Sequence, residues 1–301
     1  MTEKLNKLTE DKKSTLSTVN CRGCSGGDCF LIRGKDVNIL VDSGFAFSAQ
    51  TAVKEIKSHL GNESLDYLLL THSHYDHAMG VPAFRKAFPG LKVIGSEYCN
   101  FILTKPTARK KMQEMDDFAA NAYGHKKGKD LTDGLYCDIV LKDGEELQLG
   151  GEKIRGISLP GHTKCCMGYL FTEEEMLVSC ETLGIMADGS TVFPGCLIGY
   201  RMTIDSINKV LSLNLKELLI PHSGYIYGED IKNYLNSSLK STDDCKSLIL
   251  EAHRSGKDFY GIVEEYKKKY YSEKISQSYP EHALMANLSA QIPMFIKEAE
   301  E

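Results

Sequence analysis

Residues 70–77 read LTHSHYDH, and this stretch decides the fold because three imidazoles and one carboxylate directly follow an apolar run. Neutral imidazole and carboxylate are the usual ligands of first-row metal ions, among which zinc is the most frequent. Crowding such polar groups together without partners would be costly, so the motif favours metal binding. A solvated histidine-rich loop without an ion is the alternative, and later segments argue against it by supplying further ligands.

The spacing inside the motif predicts two neighbouring metal ions. The preceding stretch 65–71 is apolar nearly throughout and reads as a short buried strand. His72 and His74 are two positions apart, so a residual extended backbone would put both imidazoles on the same side. Asp76 and His77 follow where the chain must turn. We therefore expect one ion at His72 and His74, and a second at Asp76 and His77.

Three later apolar runs are each followed by one more residue of a ligand type: His162, Glu181 and His222. Sheet-based folds gather their sites at the ends of strands, where these three residues would lie. A lone histidine after a strand is more often a hydrogen-bonded structural residue. Because all three residues follow the 70–77 motif in this order along the chain, together they indicate additional metal ligands.

The chain resembles the metallo-β-lactamase fold superfamily, in the hydrolase branch that has a His-x-His-x-Asp-His motif. The resemblance rests on residues 72–77, runs from about Asn20 to Gly224, and includes VDSG at 41–44, which is similar to an early strand-and-turn element of the family. It implies an α/β fold, a four-layer αββα metallo-β-lactamase sandwich, here with a C-terminal helical extension.

The same resemblance implies a role for each ligand-type residue. The implied ligands are His72, His74 and His162 for the first metal, Asp76, His77 and His222 for the second, and Glu181 as the bridge between them. The bridging residue is normally Asp, so the extra methylene of Glu181 departs from the family pattern, although alkylsulfatase-like members are similar to this chain in using Glu. The implied cofactors are two divalent metal ions, zinc by default, with iron or manganese as alternatives.

The implied reaction is metal-assisted hydrolysis, in which a metal-bound hydroxide attacks a carbonyl group. Asp76 is the candidate catalytic residue, because its carboxylate could orient the hydroxide and shuttle a proton. The first expectation for the substrate is a small molecule with a thioester of the acyl-CoA or acyl-carrier type, or a related ester or lactone. It rests on the helical tail, which resembles those of glyoxalase II and the quinolone-response thioesterases. Tyr200, Arg201 and Tyr225 are candidate substrate contacts, with structural packing as the alternative.

Two other functions stay open. A phosphodiesterase or a sulfatase could use the same pair of ions on a different electrophile. From a different class, a ligand-binding regulatory protein could carry the same site with slow turnover, although nothing in the sequence demands this interpretation. Kinetic measurements on thioesters, lactones and phosphodiesters, with and without a chelator, would separate these functions.

Composition limits the possible partners and compartments. The 301 residues are 42% hydrophobic and 26% charged, enough for one large domain with an appendage. A net charge of −5 and a pI near 6.0 argue against nucleic-acid binding, which needs a basic surface. No window approaches the apolar length of a membrane span, and residues 1–13 are charged. We expect a cytoplasmic protein with no membrane partner.

The ten cysteines do not indicate a disulfide scaffold, because the chain is not a small secreted one. We expect reduced, buried thiols. Cys21, Cys24 and Cys29 lie in a Gly-rich loop that the family layout would put near the rim of the active site. A structural zinc ion at Cys21 and Cys24 is an alternative, but the sequence names no partner ligands.

The predicted organisation has three parts: a polar lead-in at 1–17, a hydrolase core at 18–228 and a C-terminal helical extension at 229–301. Within the core we expect a helix at 49–60 and a strand at 92–95. Residues 97–136 form a helical insert that is either a lid or a plain surface helix. The extension is expected to contain helices at about 229–239, 242–255, 258–271 and 280–299. It could wall off one side of the metal cleft, form a homodimer surface or simply pack on the core.

Overall fold

The computed structural model describes residues 16–128, 133–186 and 191–301, and contacts divide them into two compact units. We call the described residues of Lys13–Ser158, together with Cys165–Val178, the strand-rich unit. We call Leu159–Lys164 and the described residues of Ser179–Glu301 the helix-rich unit. Most of the predicted lead-in, 1–15, lies outside the described residues.

The first sheet of the strand-rich unit has six strands in sequence order. These are β1 (Ser17–Asn20), β2 (Phe30–Arg33), β3 (Asn38–Val41), β4 (Tyr67–Leu69), β5 (Lys92–Gly95) and β6 (Ile139–Val140). The pairs from β1 to β3 are antiparallel, and those from β3 to β6 are parallel. Nearly all residues of β3 to β5 are buried, as expected for parallel strands covered on both faces.

Five helices belong to the strand-rich unit: α1 (Ala49–Leu60), α2 (Tyr75–Ala78), α3 (Val81–Ala87), α4 (Glu97–Thr104) and α5 (Pro106–Ala122). Helix α1 confirms the helix predicted from the sequence at the same residues. Its buried side chains recur at helical spacing, at Ala49, Ala52, Val53, Ile56 and Leu60, and so form one apolar face. Helices α4 and α5 occupy most of the predicted insert at 97–136.

A second sheet begins in the same unit with four antiparallel neighbours, β7 (Glu146–Leu149), β8 (Glu152–Ser158), β9 (Met167–Phe171) and β10 (Met176–Val178). The buried Tyr169 hydroxyl donates to the Leu70 carbonyl at 2.7 Å. The Met167 amide donates to the Thr71 carbonyl at 2.9 Å. Strand β9 is therefore hydrogen-bonded to the segment that leads into the histidine-rich motif.

The helix-rich unit contains two short strand pairs and five helices. They are β11 (Ile185–Met186) with β12 (Val192–Phe193), β13 (Glu217–Ile220) with β14 (Gly224–Tyr227), and α6 (Tyr200–Leu211), α7 (Glu229–Arg254), α8 (Phe259–Tyr270), α9 (Glu273–Ser278) and α10 (Glu281–Glu300). An apolar core joins β12 to α7, α8 and α10. In the described ranges, no helix has both the length and the apolar character that crossing a membrane requires.

The prediction of separate helices at 229–239 and 242–255 is wrong, because α7 runs unbroken from Glu229 to Arg254. Thr242 is the first residue of the second predicted helix. Its hydroxyl instead donates to the Ser238 carbonyl, one turn back in the same helix, at 2.9 Å. A polar residue that bonds back in this way can stay inside a helix. The predicted helices at 258–271 and 280–299 are confirmed as α8 and α10.

Candidate metal centre

The motif at 70–77 comprises the loop after β4 and the first three residues of α2, and we call this segment the histidine loop. The ring centroids of His72 and His74 are 4.6 Å apart, and those of His72 and His77 are 4.1 Å apart. One ligand nitrogen of His72 lies within 4.8 Å of one of His74. His72 and His77 are fully buried, and His74 is half-buried. The loop thus brings His72 and His74 within reach of a common ion, as the spacing predicted.

Asp76 and His77 form a second pair in the same loop, in the short helix α2. The Asp76 Oδ2 atom lies 3.5 Å from the His77 Nε2 atom. The Asp76 side chain keeps 21% of its surface exposed, whereas the His77 ring is inaccessible. A carboxylate oxygen and an imidazole nitrogen facing each other at this distance are suited to sharing a cation.

Asp42, directly after β3, orients the histidine loop. One carboxylate oxygen, Oδ1, accepts from the Thr71 amide at 2.8 Å. The other, Oδ2, accepts from the Thr71 hydroxyl at 2.8 Å and contacts the His77 Nδ1 atom at 2.8 Å. With Nδ1 bound to a carboxylate, the Nε2 atom is the ring nitrogen left to face a metal. Asp42 adopts a φ of 56°, an uncommon conformation for a residue other than glycine.

In the helix-rich unit, Glu181 faces two histidines at once. Its Oε2 atom lies 3.2 Å from His162 Nε2, and its Oε1 atom lies 3.2 Å from His222 Nε2. Glu181 and His162 are buried, and His222 is half-buried. One carboxylate oxygen directed at each imidazole is the arrangement that a bridging ligand needs.

Tight turns hold these three side chains. Gly161, before His162, has a φ of 150°, and a Cβ there would approach Thr203 Oγ1 to 2.5 Å and Thr182 Cγ2 to 2.6 Å. The Thr182 hydroxyl accepts from the His162 amide at 3.1 Å and so fixes the turn. His222 lies between β13 and β14 with a φ of 62°. Each histidine therefore sits on backbone that its neighbours constrain.

The helix-rich unit also contains a narrow slot whose lining includes His162 and Glu181. Its walls are mostly apolar side chains from the loop around β12 and from α10: Ile185, Phe193, Pro194, Leu197, Leu284 and Leu288. Tyr279 and Asn287, which share a hydrogen bond of 2.5 Å, and Gln291 and Tyr266 supply its polar groups. None of the residues that line the slot is Lys or Arg.

The three candidate substrate contacts have different surroundings. The Tyr200 hydroxyl donates to Asp243 Oδ1 at 2.5 Å, and the Lys246 ammonium lies 3.7 Å from the centre of the Tyr200 ring. These contacts anchor the first residue of α6 to α7. Arg201 is exposed, and Tyr225 is half-buried on β14. A role in substrate binding stays a prediction for all three residues.

Helix α5 of the insert is anchored beside the histidine loop by a buried carboxylate. Asp116 Oδ1 accepts from the Ala46 amide, in the loop before α1, at 2.8 Å. Burial raises the pKa of Asp116 to about 7, and the charges of Asp117 and Asp76 add to this effect, while the amides of Ala46 and Phe47 oppose it. Whether the insert moves as a lid stays a prediction.

The cysteines are buried with the exception of Cys24, which is half-buried, and none of the ten is in a disulfide in the described ranges. This confirms the expectation of buried thiols. Cys165 approaches the histidine loop, since its Sγ atom accepts from the Ser73 amide at 3.3 Å. The Cys24 thiol donates to the Ser25 carbonyl at 3.4 Å.

A family model for the metallo-beta-lactamase superfamily matches residues 22–228. The chain therefore belongs to the metallo-β-lactamase superfamily. Its fold is the metallo-β-lactamase fold, a mixed α/β architecture with two sheets and a C-terminal helical region, as the sequence predicted. Members of this superfamily are generally metal-dependent hydrolases, and the chain carries candidate metal-binding residues.

Relatives and solved structures agree with this membership. A metallo-beta-lactamase fold-containing protein of Sulfurisphaera tokodaii is 22% identical over 216 residues, which cover 71% of this chain and 79% of that protein. A hydroxyacylglutathione hydrolase of Vibrio cholerae is 26% identical, over 61% of this chain and 56% of that protein. A crystal structure of an archaeal superfamily member from Sulfolobus tokodaii matches with a TM-score of 0.63 and 20% identity, covering 95% and 100% of the two chains.

The donor set suits divalent cations of borderline softness. Five imidazoles and two carboxylates are ligands that zinc, iron and manganese all accept. Within each unit these donors already lie at short distances from one another. Asp42 orients His77 in the way that carboxylates orient metal-binding histidines in other proteins. The residues present therefore fit a metal centre.

Sequence reasoning gave no role to three positioning residues, Asp42, Thr71 and Thr182. Asp42 and Thr71 directly follow β3 and the apolar run 67–70, so a polar residue at the end of a buried strand was the available signal. Thr182 follows Glu181 and carried no signal of its own, because its contact with the His162 amide joins segments that are distant in sequence.

Proposed function

We propose that this protein is a binuclear metal-dependent hydrolase that cleaves a thioester of the acyl-CoA or acyl-carrier type, or a related ester or lactone. Superfamily membership supports hydrolysis. The relative named as a hydroxyacylglutathione hydrolase supports a thioester, although the match covers about half of its length.

In this proposal seven side chains bind two divalent cations. The assigned ligands are His72, His74 and His162 for one cation, Asp76, His77 and His222 for the other, and Glu181 for both. The paired contacts of Glu181 support its assignment as the bridge. Zinc is the default cation, and iron or manganese would suit the same ligands.

When bound, two divalent cations supply Lewis-acid chemistry, which activates water near neutral pH and polarises a carbonyl oxygen. The partly exposed Asp76 carboxylate accepts a proton from the attacking water and returns it to the departing thiolate. A C–O bond forms at the carbonyl carbon and the C–S bond breaks, giving a carboxylic acid and a thiol. Asp42 keeps the His77 ring in one orientation throughout.

The observation that carries the choice of an acyl substrate is the slot lined in part by His162 and Glu181. Its apolar walls would bury the methylene groups of an acyl chain, at ~0.8 kcal/mol each. Phosphate and sulfate groups are usually bound by Arg or Lys, and neither residue lines the slot. The cavity measures only about 20 Å³, so an acyl chain would enter it as the walls move apart.

A substrate panel tests the proposal. Protein loaded with two equivalents of zinc should hydrolyse acyl-CoA thioesters or acyl lactones, and a chelator should abolish turnover. The panel includes a glutathione thioester, a phosphodiester and an alkyl sulfate. Turnover of only the phosphodiester or the sulfate would overturn the choice of substrate. No turnover across the panel at full metal occupancy would instead indicate a regulatory ligand-binding protein.

Substitutions in the histidine loop test the assigned ligands. His74→Ala and Asp76→Ala should lose turnover and metal content while the fold persists, because both side chains are partly exposed. His253→Ala, at an exposed histidine near the end of α7, is the matched control and should keep both. If either loop variant retains wild-type turnover, the role assignment is wrong.

A larger side chain in the slot tests whether the slot binds the acyl group of the substrate. Leu288→Phe should lower kcat/KM for octanoyl thioesters about tenfold relative to acetyl thioesters, since losing two buried methylene groups costs ~1.6 kcal/mol. Ala290→Phe, at an exposed position of the same helix, is the control. Retained acetyl turnover shows that the variant is folded. An unchanged ratio between the two chain lengths would remove the slot from the substrate site.

A further inference from the structure

A separate group of ligand-type side chains lies in the strand-rich unit, outside the histidine loop. It contains Cys21, which follows β1, and Glu55 and His59, which both lie on α1. One ligand atom from each of the three residues lies within 4.8 Å of the other two. Sequence reasoning had noted Cys21 and the half-buried Cys24 as a possible pair without partners, and the structure gives Cys21 different neighbours.

The helix geometry explains why the two α1 residues face one point. Glu55 and His59 are four positions apart, so their side chains lie on the same face of α1, one turn apart. Pairs of ligands at this spacing are a familiar way for a helix to hold a metal ion. The Cys21 backbone is fixed as well, since its amide donates to the Cys29 carbonyl at 2.8 Å.

Burial is graded across the group. The Cys21 side chain is fully buried, Glu55 is half-buried and His59 is exposed. An ion held by these three residues would therefore have the thiol on its protein side and water on its open side. A site of this shape can exchange its ion with solvent.

A plain explanation would be a core thiol that happens to lie under a surface carboxylate. Against it, a ligand atom of His59 converges on the same point as the thiol and the carboxylate, within 4.8 Å of both. In the described ranges, Glu55 also forms no salt bridge, although Lys54 and Lys57 neighbour it on α1.

We propose that Cys21, Glu55 and His59 bind one divalent cation of borderline softness, Zn²⁺ in the first place. Thiolate and imidazole together select such an ion over Ca²⁺ or Mg²⁺, which prefer oxygen ligands. Three protein ligands leave one position of a tetrahedral zinc for water. On binding, the Cys21 thiol releases its proton to solvent and the sulfur bonds to the ion. The ion ties the 21–29 loop to α1.

This inference does not rest on the proposed hydrolase function. Titration with Co²⁺ distinguishes the site at Cys21, Glu55 and His59 from the binuclear centre. The seven ligands assigned to the binuclear centre include no cysteine. Co²⁺ bound to Cys21 should therefore give a thiolate-to-cobalt charge-transfer band that the binuclear centre does not produce. We expect three equivalents of Co²⁺ per chain, one of them accompanied by this band.

Cys21→Ser, Glu55→Gln and His59→Ala should each lose the band and about one equivalent of metal. Cys24→Ser, in the same loop, is the matched control and should lose neither. His59 is exposed, so its replacement leaves the core intact and keeps the test valid even if Cys21→Ser misfolds.

A charge-transfer band that survives Cys21→Ser and His59→Ala would overturn the proposal, as would wild-type protein that shows no such band at saturating Co²⁺. Failure of the binuclear centre gives a different result, in which the band persists while the other two equivalents are missing.

Discussion

At Asp42, one carboxylate binds three groups of the histidine loop: the Thr71 amide, the Thr71 hydroxyl and the His77 ring. The side chain is almost completely buried, so these contacts must satisfy its charge. The sequence showed Asp42 only as part of a strand-and-turn element. Its role could not be predicted, because residues 29 and 35 positions away in the chain supply the partners.

Replacing Asp42 tests whether it orients His77. Asp42→Asn should lower metal affinity about 10–100-fold, because the amide is a weaker partner for the His77 Nδ1–H group. The measurement is competition for zinc with a chromophoric chelator. Asp205→Asn, at an exposed position of α6, is the control. Unchanged affinity in Asp42→Asn would show that loop packing alone orients the ring.

Asp116 predicts a dependence of stability on pH. Its pKa in the folded protein, about 7, exceeds the ordinary value of 3.8, so the folded state binds this proton more tightly. The resulting stabilisation is complete below pH 3.8 and is lost as the pH rises to about 7. At ~1.4 kcal/mol per pH unit, the loss has a ceiling of about 4 kcal/mol.

Asp116→Asn should therefore gain stability relative to the wild type as the pH rises from 5 to 8. Urea unfolding at both pH values measures the free energy of unfolding of each protein. Taking the difference between variant and wild type removes the contribution of the histidines, which titrate in both proteins. Asp205→Asn, at an exposed position of α6, is the control. A stability difference that is the same at both pH values would contradict a raised pKa.

The bridging role of Glu181 was implied by the family resemblance and stays a prediction. The structure places one of its carboxylate oxygens 3.2 Å from His162 Nε2 and the other 3.2 Å from His222 Nε2. The chemistry-bearing residues were the easiest part of the site to find, because few functions other than metal binding cluster histidines in this way. The residues that only position them were missed, since hydroxyl and amide contacts leave no periodic signal.

At the scale of elements, local patterns predicted α1 and β5 at the residues where the structure has them. The long helix α7 was divided in error at residues 240–241, because polar residues there look like a cap. Its buried face continues through Ser238, Thr242 and Cys245, which small side chains allow. Packing against the core of the helix-rich unit keeps this segment helical, and a short window of sequence does not show that packing.

The turn at Gly161 gives a prediction about one connecting element. In Gly161→Ala the new Cβ would collide with Thr203 and Thr182, which displaces the turn that carries His162. We expect a loss of stability of about 1–3 kcal/mol and a weaker metal centre. Chemical unfolding and metal content measure the two effects.

Gly124→Ala is the matched control, because Gly124 also has a positive φ of 72° but a Cβ there would meet nothing within 4 Å. It should show only the cost of the backbone conformation, about 1–2 kcal/mol, with metal content unchanged. Equal losses of metal in both variants would mean that crowding at Gly161 does not matter.

At the scale of the whole molecule, metal binding should contribute to stability. A ligand that binds only the folded state stabilises it by about 2.7 kcal/mol when present at 100 times its dissociation constant. Chelation should therefore lower the unfolding temperature measured by calorimetry. The shift should be smaller in His222→Ala, which lacks one assigned ligand. An equal shift in both proteins would mean that His222 does not bind the ion.

The fold class was predictable because motifs spread from residue 41 to residue 222 follow one family order. The predicted domain boundaries at 17 and 228, the homodimer and the cytoplasmic location stay predictions. The two units could not be read from the sequence, since one of them takes in the short segment Leu159–Lys164, which contains His162. Contacts define that assignment, and composition does not change at its ends.

The interleaving of the two units limits how this gene can evolve. The chain passes from one unit to the other after Ser158, Lys164 and Val178. A crossover that imported a single uninterrupted stretch of foreign DNA could not replace one unit without carrying part of the other. Homologous exchange of either unit as a single module is thereby disfavoured, and the two units are inherited together.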